Sequence, residues 1–406
     1  YNNRLATFEL AKFKLSPGAG SGSSLAGKVQ TGPIADGVVW FDANDNLMRD
    51  DGEPFAITDF EGNYELTIPD DFDLSTGTIR VEGGRDMSTG LPSHDDVAIP
   101  RGGHGNVTAL TALEEALNAD VGMSTAESQM LIEEAFGIDP SVDLSTFAHH
   151  DEALAGNPLA GPVLLAENNV NSLVQELDAA LSGAAGVAQD DHHYTGVFSE
   201  AAFVALARHL NRHDLDLANP LQLKQILLEA ATIANERLVD LGDSAQVNVD
   251  RLVAHQDAIA TVLAATIVNQ RTLAAQATNV VDLAHRVTQE KLVANGKVAA
   301  DLYLLVQGLL SDSQIVDDDG HTDATALDAI KHVKLPPLVS AVHDVQGTED
   351  VAIPPVPLVV RRQMSEPGEV VIEVSTDNDT LLPSSAVRVV RTGHDALADH
   401  FEIQIL

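Results

Sequence analysis

The sequence predicts a multidomain chain in three parts: strands, then an all-α helical bundle containing a long helix, then strands again. Three observations carry this. Period-two alternation of apolar and polar residues runs to about residue 107. From 108 to about 332 the text turns rich in Ala and Leu at i, i+3, i+4 spacing, with no proline between Pro220 and Pro336. After Leu335-Pro336-Pro337, strand-like alternation returns. The divisions read as 1–25 for an N-terminal strand and linker, then 26–107, 108–334 and 335–406.

At 406 residues the length suits about two to four domains. Acidic residues number 61 against 23 basic ones, a net charge of −38. No basic cluster is longer than Arg361-Arg362. Nucleic acid and anionic membranes are excluded as partners, since both need Lys and Arg to meet phosphate. Cations are attracted, and an acidic surface keeps a protein soluble in salt. There is no cysteine, so a thiol nucleophile is excluded; a chain of this size does not need disulfides to survive export. No apolar run approaches the ~20 residues of a bilayer span, so membrane insertion is not expected. The chain opens on Tyr1 without a basic or apolar leader, as a secreted chain does once its signal peptide is gone.

Residues 4–15, RLATFELAKFKL, read as one strand with a phase slip near Ala11: Phe8 and Leu10 share a face, then Phe13 and Leu15 share another. SPGAGSGSS follows as a flexible linker. GSSLAGKV, starting at Gly22, imitates a phosphate-binding loop but ends on Val29, which has no hydroxyl for Mg²⁺. A strand is expected after it rather than a helix whose N-terminus could hold phosphate.

The most informative stretch is 36–69. Asp42, Asn44, Asn46, Met48, Asp50 and Glu53 stand at positions 1, 3, 5, 7, 9 and 12 of one loop. That spacing wraps oxygen ligands around Ca²⁺, with the backbone carbonyl at position 7 and a carboxylate at position 12. Leu47 stands where such loops carry Gly for the sharp turn. Val38, Val39, Trp40 and Phe41 before the loop, and Tyr64, Leu66 and Ile68 after it, read as strands. Asp59 in the next turn is a further candidate oxygen donor. A strand, a DxNxNxxxDxxE loop, a TDxxGxY turn and a second strand resemble the calcium-binding B-repeat sandwiches of bacterial surface adhesins and the related carboxypeptidase-regulatory-like sandwiches. Over roughly 26–100 the resemblance implies a seven-stranded β-sandwich with Ca²⁺ clamped in its loop, used as a rigid spacer. TIRVEGG and the Asp95-Asp96-Val97-Ala98-Ile99 stretch would close it.

Helix signals then follow in order. Thr108 precedes ALTALEEAL, Ser124 opens a helix with Glu127 as its capping-box partner, and Pro158 and Pro162 mark another start. From Val249 apolar residues recur at Leu252, Ile259, Leu263, Ile267, Ala277, Val280, Ala284 and Val287, then Val298, Leu302, Leu305 and Leu309. Unbroken, these ~60 residues would form a rod of about 90 Å, with a kink or stop at Asn295-Gly296. The whole reads as an antiparallel bundle of about six to eight helices, with Ala-rich seams allowing close approach. Gln256, Gln270 and Asn295 interrupt the stripe and are expected to be hydrogen-bonded or at its edge. The acidic turn after the rod offers a second, poorer calcium motif in Asp317, Asp319, Asp323 and Asp328, before a short helix at 325–331.

In the last part, Thr348-Glu349-Asp350 and the polar turn at 375–383 lie among segments that are similar to cadherin- or immunoglobulin-like adhesin repeats. That resemblance implies a C-terminal immunoglobulin-like β-sandwich used as a strut. Such a domain needs about 100 residues, so this one is expected to be a strand short. Strand exchange between subunits, with Phe8, Leu10, Phe13 and Leu15 donated to a neighbour, would complete it and build a filament.

Catalytic constellations are weak. His209 and His213 have i, i+4 spacing but lack the adjacent Glu of a zinc protease helix, and Asp190, Asp191, His192 and His193 could add ligands. No G-x-S-x-G elbow is present, and paired carboxylates discriminate nothing in so acidic a chain. The expectation is a non-enzymatic, calcium-braced, extracellular cell-surface protein that self-associates. The alternative is a secreted enzyme or ligand-binding protein with its site in the helical domain; converging polar groups there would favour it.

Overall fold

The computed structural model describes residues 22–30, 32–74, 77–93, 97–99, 105–189, 191–213, 215–320, 338–339, 355–361, 372, 387–394 and 398–405. The expected donor strand at 4–15, the motifs at 348–350 and 375–383, the helix at 325–331, and Asp190, Asp323 and Asp328 lie outside these residues.

Among the described residues eight strands come first: β1 (Gly22–Lys28), β2 (Ile34–Ala35), β3 (Val38–Asp42), β4 (Phe55–Ile57), β5 (Asn63–Pro69), β6 (Thr78–Glu82), β7 (Arg85–Asp86) and β8 (Val97–Ile99). They form three small antiparallel sheets, β1-β5, β2-β7 and β4-β3-β6-β8. The sequence reading holds at this coarser level. In β5 the alternation is plain, with Tyr64, Leu66 and Ile68 buried and Glu65 and Thr67 exposed. Central β3 buries Val39, Trp40 and Phe41 in succession, as a strand covered on both faces does.

Strand β1 starts at Gly22, inside the stretch read as linker, and runs in register from Gly22↔Pro69 to Lys28↔Asn63. The apolar partners across the pair outweigh the flexibility of its Gly and Ser residues. The phosphate-loop imitation is therefore itself a strand, and Lys28 pairs with Asp151.

Among the described residues ten α-helices follow: α1 (Ala109–Ala116), α2 (Thr125–Phe136), α3 (His149–Leu154), α4 (Ala160–Ala185), α5 (His192–Asn211), α6 (Pro220–Asp240), α7 (Val249–Ala275), α8 (Val280–Glu290), α9 (Gly296–Val306) and α10 (Asp312–Asp318). The caps at Thr108 and Ser124 stand where the sequence puts them, each accepting from its N3 amide in a capping box; in the structure Asn219 also caps α6 ahead of Pro220. Helix α4 lies at the centre, packed by α1, α3, α5, α7, α8 and α9.

The long rod does not form. Gln276 ends α7, Asn279 caps α8, and a π-helical turn, Lys291–Asn295, separates α8 from α9. The stripe is continuous in sequence, yet its pieces fold back, since α7 packs against both α8 and α9. Leu309, expected on the rod's buried stripe, lies beyond the end of α9 and is 66% exposed. By length and composition α7 could cross a membrane, but Leu252, Ile259, Leu263 and Ile267 are buried in the bundle.

One apolar core runs through both regions, from Leu25, Phe41 and Leu66 in the sheets to Leu113, Phe198, Leu263 and Leu302 in the helices. The divide expected at 107/108 is thus not a break in packing. Val107 N–H donates to Lys28 O at 2.7 Å and Tyr64 Oη to Gly105 O at 2.7 Å, which ties the first helix to the first sheet.

The last strands are β9 (Leu338–Val339), β10 (Val356–Arg361), β11 (Val387–His394) and β12 (Ala398–Ile405), an antiparallel sheet ordered β11-β12-β10-β9. Leu358, Val360 and Phe401 form its own small core.

Candidate metal centre

The 42–53 loop joins β3 to β4, whose pairing (Trp40↔Phe55) brings its two ends together. Asp42 Oδ1 accepts from Asn46 N–H at 3.2 Å and Oδ2 from Leu47 N–H at 3.1 Å. The Nδ2 groups of Asn44 and Asn46 both donate to Asp50 Oδ2, at 2.8 and 2.9 Å. Glu53 closes the ring, accepting from Ala43 N–H at 2.9 Å and from Asp50 N–H at 3.0 Å. Of the six side chains expected to give oxygens, five are therefore brought together. Met48, whose carbonyl would be the sixth donor, has its N–H on Asn46 Oδ1 at 2.9 Å, and its side chain is exposed.

Leu47 takes φ +65° and Asp45 φ +57°. The sixth position thus adopts the left-handed turn that calcium loops need, although its residue is not Gly. For an L-residue this costs roughly 1–2 kcal/mol. The Leu47 side chain offsets it by joining the apolar core, at 5% exposure.

Burial lifts the Glu53 carboxyl above its ordinary range; the Ala43 and Asp50 amides oppose the rise, and Asp42 and Asp50 add to it. Mixed hard oxygens of this kind suit Ca²⁺ in residue type. Among the described residues, however, no three His, Cys, Asp or Glu side chains are grouped tightly enough to grip a metal by themselves. The amides and the main-chain carbonyl would have to complete the set.

Asp59 does not join the loop's network. Its carboxylate closes the following turn, accepting from Glu61 N–H at 2.9 Å and from Asn63 N–H at 2.8 Å. In the second motif, Asp317 lies within α10 and Asp319 follows it, paired with Lys297. The Ser311 cap and its Gln314 partner start a helix that runs into the first two residues of the segment read as a turn, Asp317 and Asp318.

The loop is also fastened from outside, which the sequence reading missed. Arg80 of β6 donates Nε to Asp42 Oδ2 at 2.7 Å and Nη2 to Asp45 Oδ1 at 2.9 Å. The same Nη2 reaches Glu200 of α5 at 3.3 Å. Arg237 of α6 donates to the Asp45 carbonyl and lies 3.6 Å from Glu200 Oε1. Burial works against the Arg80 charge, but Glu200, Asp42 and Asp45 outweigh it and hold the guanidinium more firmly protonated than usual. Burial raises the Glu200 carboxyl, with both arginines opposing. Arg80 sits between Ile79 and Val81 in a half-buried strand, a position where a cation needs a partner. That was the available signal.

The histidine pair is not brought together on one exposed face. His209 is buried, with Nε2 3.4 Å from Glu229 Oε2, while His213 lies past the end of α5 at φ +55° and is exposed.

A second polar assembly runs inside the bundle. Asn168, Ser172 and Glu176 stand four residues apart along α4, and Thr266 and Gln270 along α7; all are buried. Gln270 Nε2 donates to Ser172 Oγ at 2.8 Å and Glu290 Oε1 at 3.3 Å, and Asn168 Nδ2 to Glu290 Oε2 at 3.3 Å. Thr266 Oγ1 donates to Glu176 Oε1 at 2.8 Å. Gln270 is thus hydrogen-bonded, as expected. Burial pushes Glu290 up to about 7 and raises Glu176 well above the carboxylate range. Glu176 Oε2, Gln270 Oε1 and Asn168 Oδ1 meet no hydrogen-bond partner among the described residues.

No protein-family model, no curated protein and no solved structure matches this chain.

Proposed function

We propose that this chain is a non-catalytic structural segment of an extracellular, cell-surface protein of adhesin type, braced by Ca²⁺ held in the 42–53 loop. The observation that carries the reading is the loop itself: five ligand-type side chains share one hydrogen-bonded ring, around a left-handed turn at Leu47. On this reading the N-terminal sheets belong to a calcium-binding β-sandwich and the C-terminal sheet to an immunoglobulin-like one. A net charge of −38 fits a cation-rich exterior. With three carboxylates and two amides, the loop should bind Ca²⁺ with Kd of about 10⁻⁴ to 10⁻³ M, the range of extracellular modules. Calorimetric titration of wild type against Asp42→Ala/Glu53→Ala tests this. One ion should be lost, and the double variant should melt alike in calcium and chelator. Wild-type melting that ignores calcium would refute the brace.

Self-association through the 4–15 strand completes the proposal. The Gly/Ser-rich residues 16–21 after it would give the strand reach, and donation to a neighbour's sheet edge would satisfy open backbone groups. Deleting residues 1–15 should abolish fibres in electron micrographs while leaving the helical circular dichroism unchanged; fibres that persist would sink the idea.

One observation favours a second reading, a ligand site in the helical region. The α4–α7 seam carries acceptors that a ligand with hydrogen-bond donors would satisfy. Saturable small-molecule binding, lost in a folded Gln270→Leu variant, would move the assignment there.

A further inference from the structure

The contacts that fasten the loop to the helices form a closed circuit. Asp42 meets Arg80, Arg80 meets Glu200, Glu200 faces Arg237, and Arg237 returns to the loop through Asp45. Two members are loop residues, one is on β6, and the other two belong to α5 and α6. Position 4 of a calcium loop supplies no side-chain ligand. Asp45 nevertheless takes a left-handed turn and gives both its carboxylate and its carbonyl to arginines. Asp42, the first ligand position, is fully buried and shares Oδ2 between Arg80 and the loop's own backbone. The ion-binding frame and the sheet–helix junction therefore use the same few residues.

We infer that the loop is a calcium-controlled latch between the N-terminal sheets and helices α5 and α6. This rests on the calcium reading above. An ion that orders the loop fixes Asp45 in the conformation that receives Arg237 and Arg80, and so tightens the junction. Linkage requires the reverse as well: a junction that holds Asp45 and Leu47 in place removes part of the ordering that ion binding must otherwise impose.

Arg237→Met separates this from simple electrostatics. Deleting a cation near an acidic loop should strengthen Ca²⁺ binding by charge alone, whereas loss of the latch should weaken it. The full chain is titrated with CaCl₂ by calorimetry, and amide hydrogen exchange is followed by mass spectrometry in calcium and in chelator. In wild type, calcium should slow exchange in α5 and α6. In Arg237→Met, Ca²⁺ affinity should fall about tenfold, with that transmitted protection lost. Asp45→Asn, which keeps its size, should show the same two changes and stands in if Arg237→Met does not fold. Unchanged or tighter binding in Arg237→Met overturns the latch. So does wild-type Ca²⁺ binding that leaves exchange in α5 and α6 unaltered, and in either case the calcium loop survives. A wild-type chain that binds no Ca²⁺ overturns both.

Discussion

At residue 47 two demands compete. The loop needs a left-handed turn, which favours Gly, and the core beside it wants a large apolar side chain. Leu47 meets the second and bears the strain of the first. The magnitudes decide what substitution does. Gly would relieve roughly 1–2 kcal/mol of backbone strain, while deleting a buried leucine costs about 2–5 kcal/mol. Leu47→Gly should therefore lower the unfolding free energy in chelator by about 1–3 kcal/mol, yet leave Ca²⁺ affinity equal or tighter. Urea denaturation in chelator, paired with a calcium titration, checks both. A variant that is more stable in chelator would show that strain, not packing, dominates this position.

Among the helices, the close approach of α4 and α9 is a sharp constraint. A Cβ on Gly183 would lie 2.7 Å from the Tyr303 carbonyl oxygen, a backbone atom that moves only with its helix. Gly296, at the start of α9 with φ −63°, has nothing within 4 Å of its added Cβ. Replacing Gly by Ala in a helix gains up to about 1 kcal/mol where space allows. Gly296→Ala should accordingly raise the melting temperature. Gly183→Ala should lower it, because overpacking typically costs about 1–3 kcal/mol and cancels the propensity gain. Thermal unfolding of the two variants side by side is the measurement. Equal stabilisation would mean that the α4–α9 seam is not held at this separation. Ala-rich seams were legible in the sequence. The break of the rod was less so, since an amphipathic stripe reads the same in one helix as in successive helices whose faces meet a common core. Its marks were Asn279, which caps α8, and the short polar run before it.

For the molecule as a whole, folding buries acids in a chain already strongly negative. Glu114, Glu167 and Glu290 are each pushed from 4.5 to about 7, with burial the leading cause, and burial also raises Glu176 well above its ordinary value. A carboxyl with a raised folded pKa binds its proton more tightly folded than unfolded. Folding then takes up protons between about pH 4.5 and 7, and stability from these groups falls as pH rises through that window. His149 opposes this: burial holds it near 3 rather than 6.5, so its share falls as pH drops below 6.5. Burial lowers His285 as well, and the four acids outweigh the two histidines where the windows overlap. Stability should decline from pH 5 to pH 8, against the usual trend for paired carboxylates. Glu290→Gln should flatten the profile, adding up to about 3 kcal/mol at pH 8 and little at pH 4.5. Chemical denaturation at the two pH values tests the sign; equal effects at both would show that folding does not raise the Glu290 carboxyl.

The sequence by itself determined the order of sheet, helix and sheet, the capped helix starts at Thr108 and Ser124, and the residue types and spacing of the 42–53 loop. These are local properties. Alternation, i, i+3, i+4 spacing and capping chemistry are written within a few residues of where they act. Tertiary structure alone decided that Arg80 and Arg237 grip the loop, that Lys28 belongs to a strand and pairs with Asp151, and that His209 is buried beside Glu229. It also decided that polar residues of α4 meet Gln270 and Glu290 rather than solvent. Periodicity states which face of an element is apolar, but not which distant element covers it. In α4 no face stays outside, so Asn168, Ser172 and Glu176 are enclosed by neighbours up to 122 residues away in sequence. A charge's partner, and with it the charge's role, is set by packing across such separations and carries no local signature.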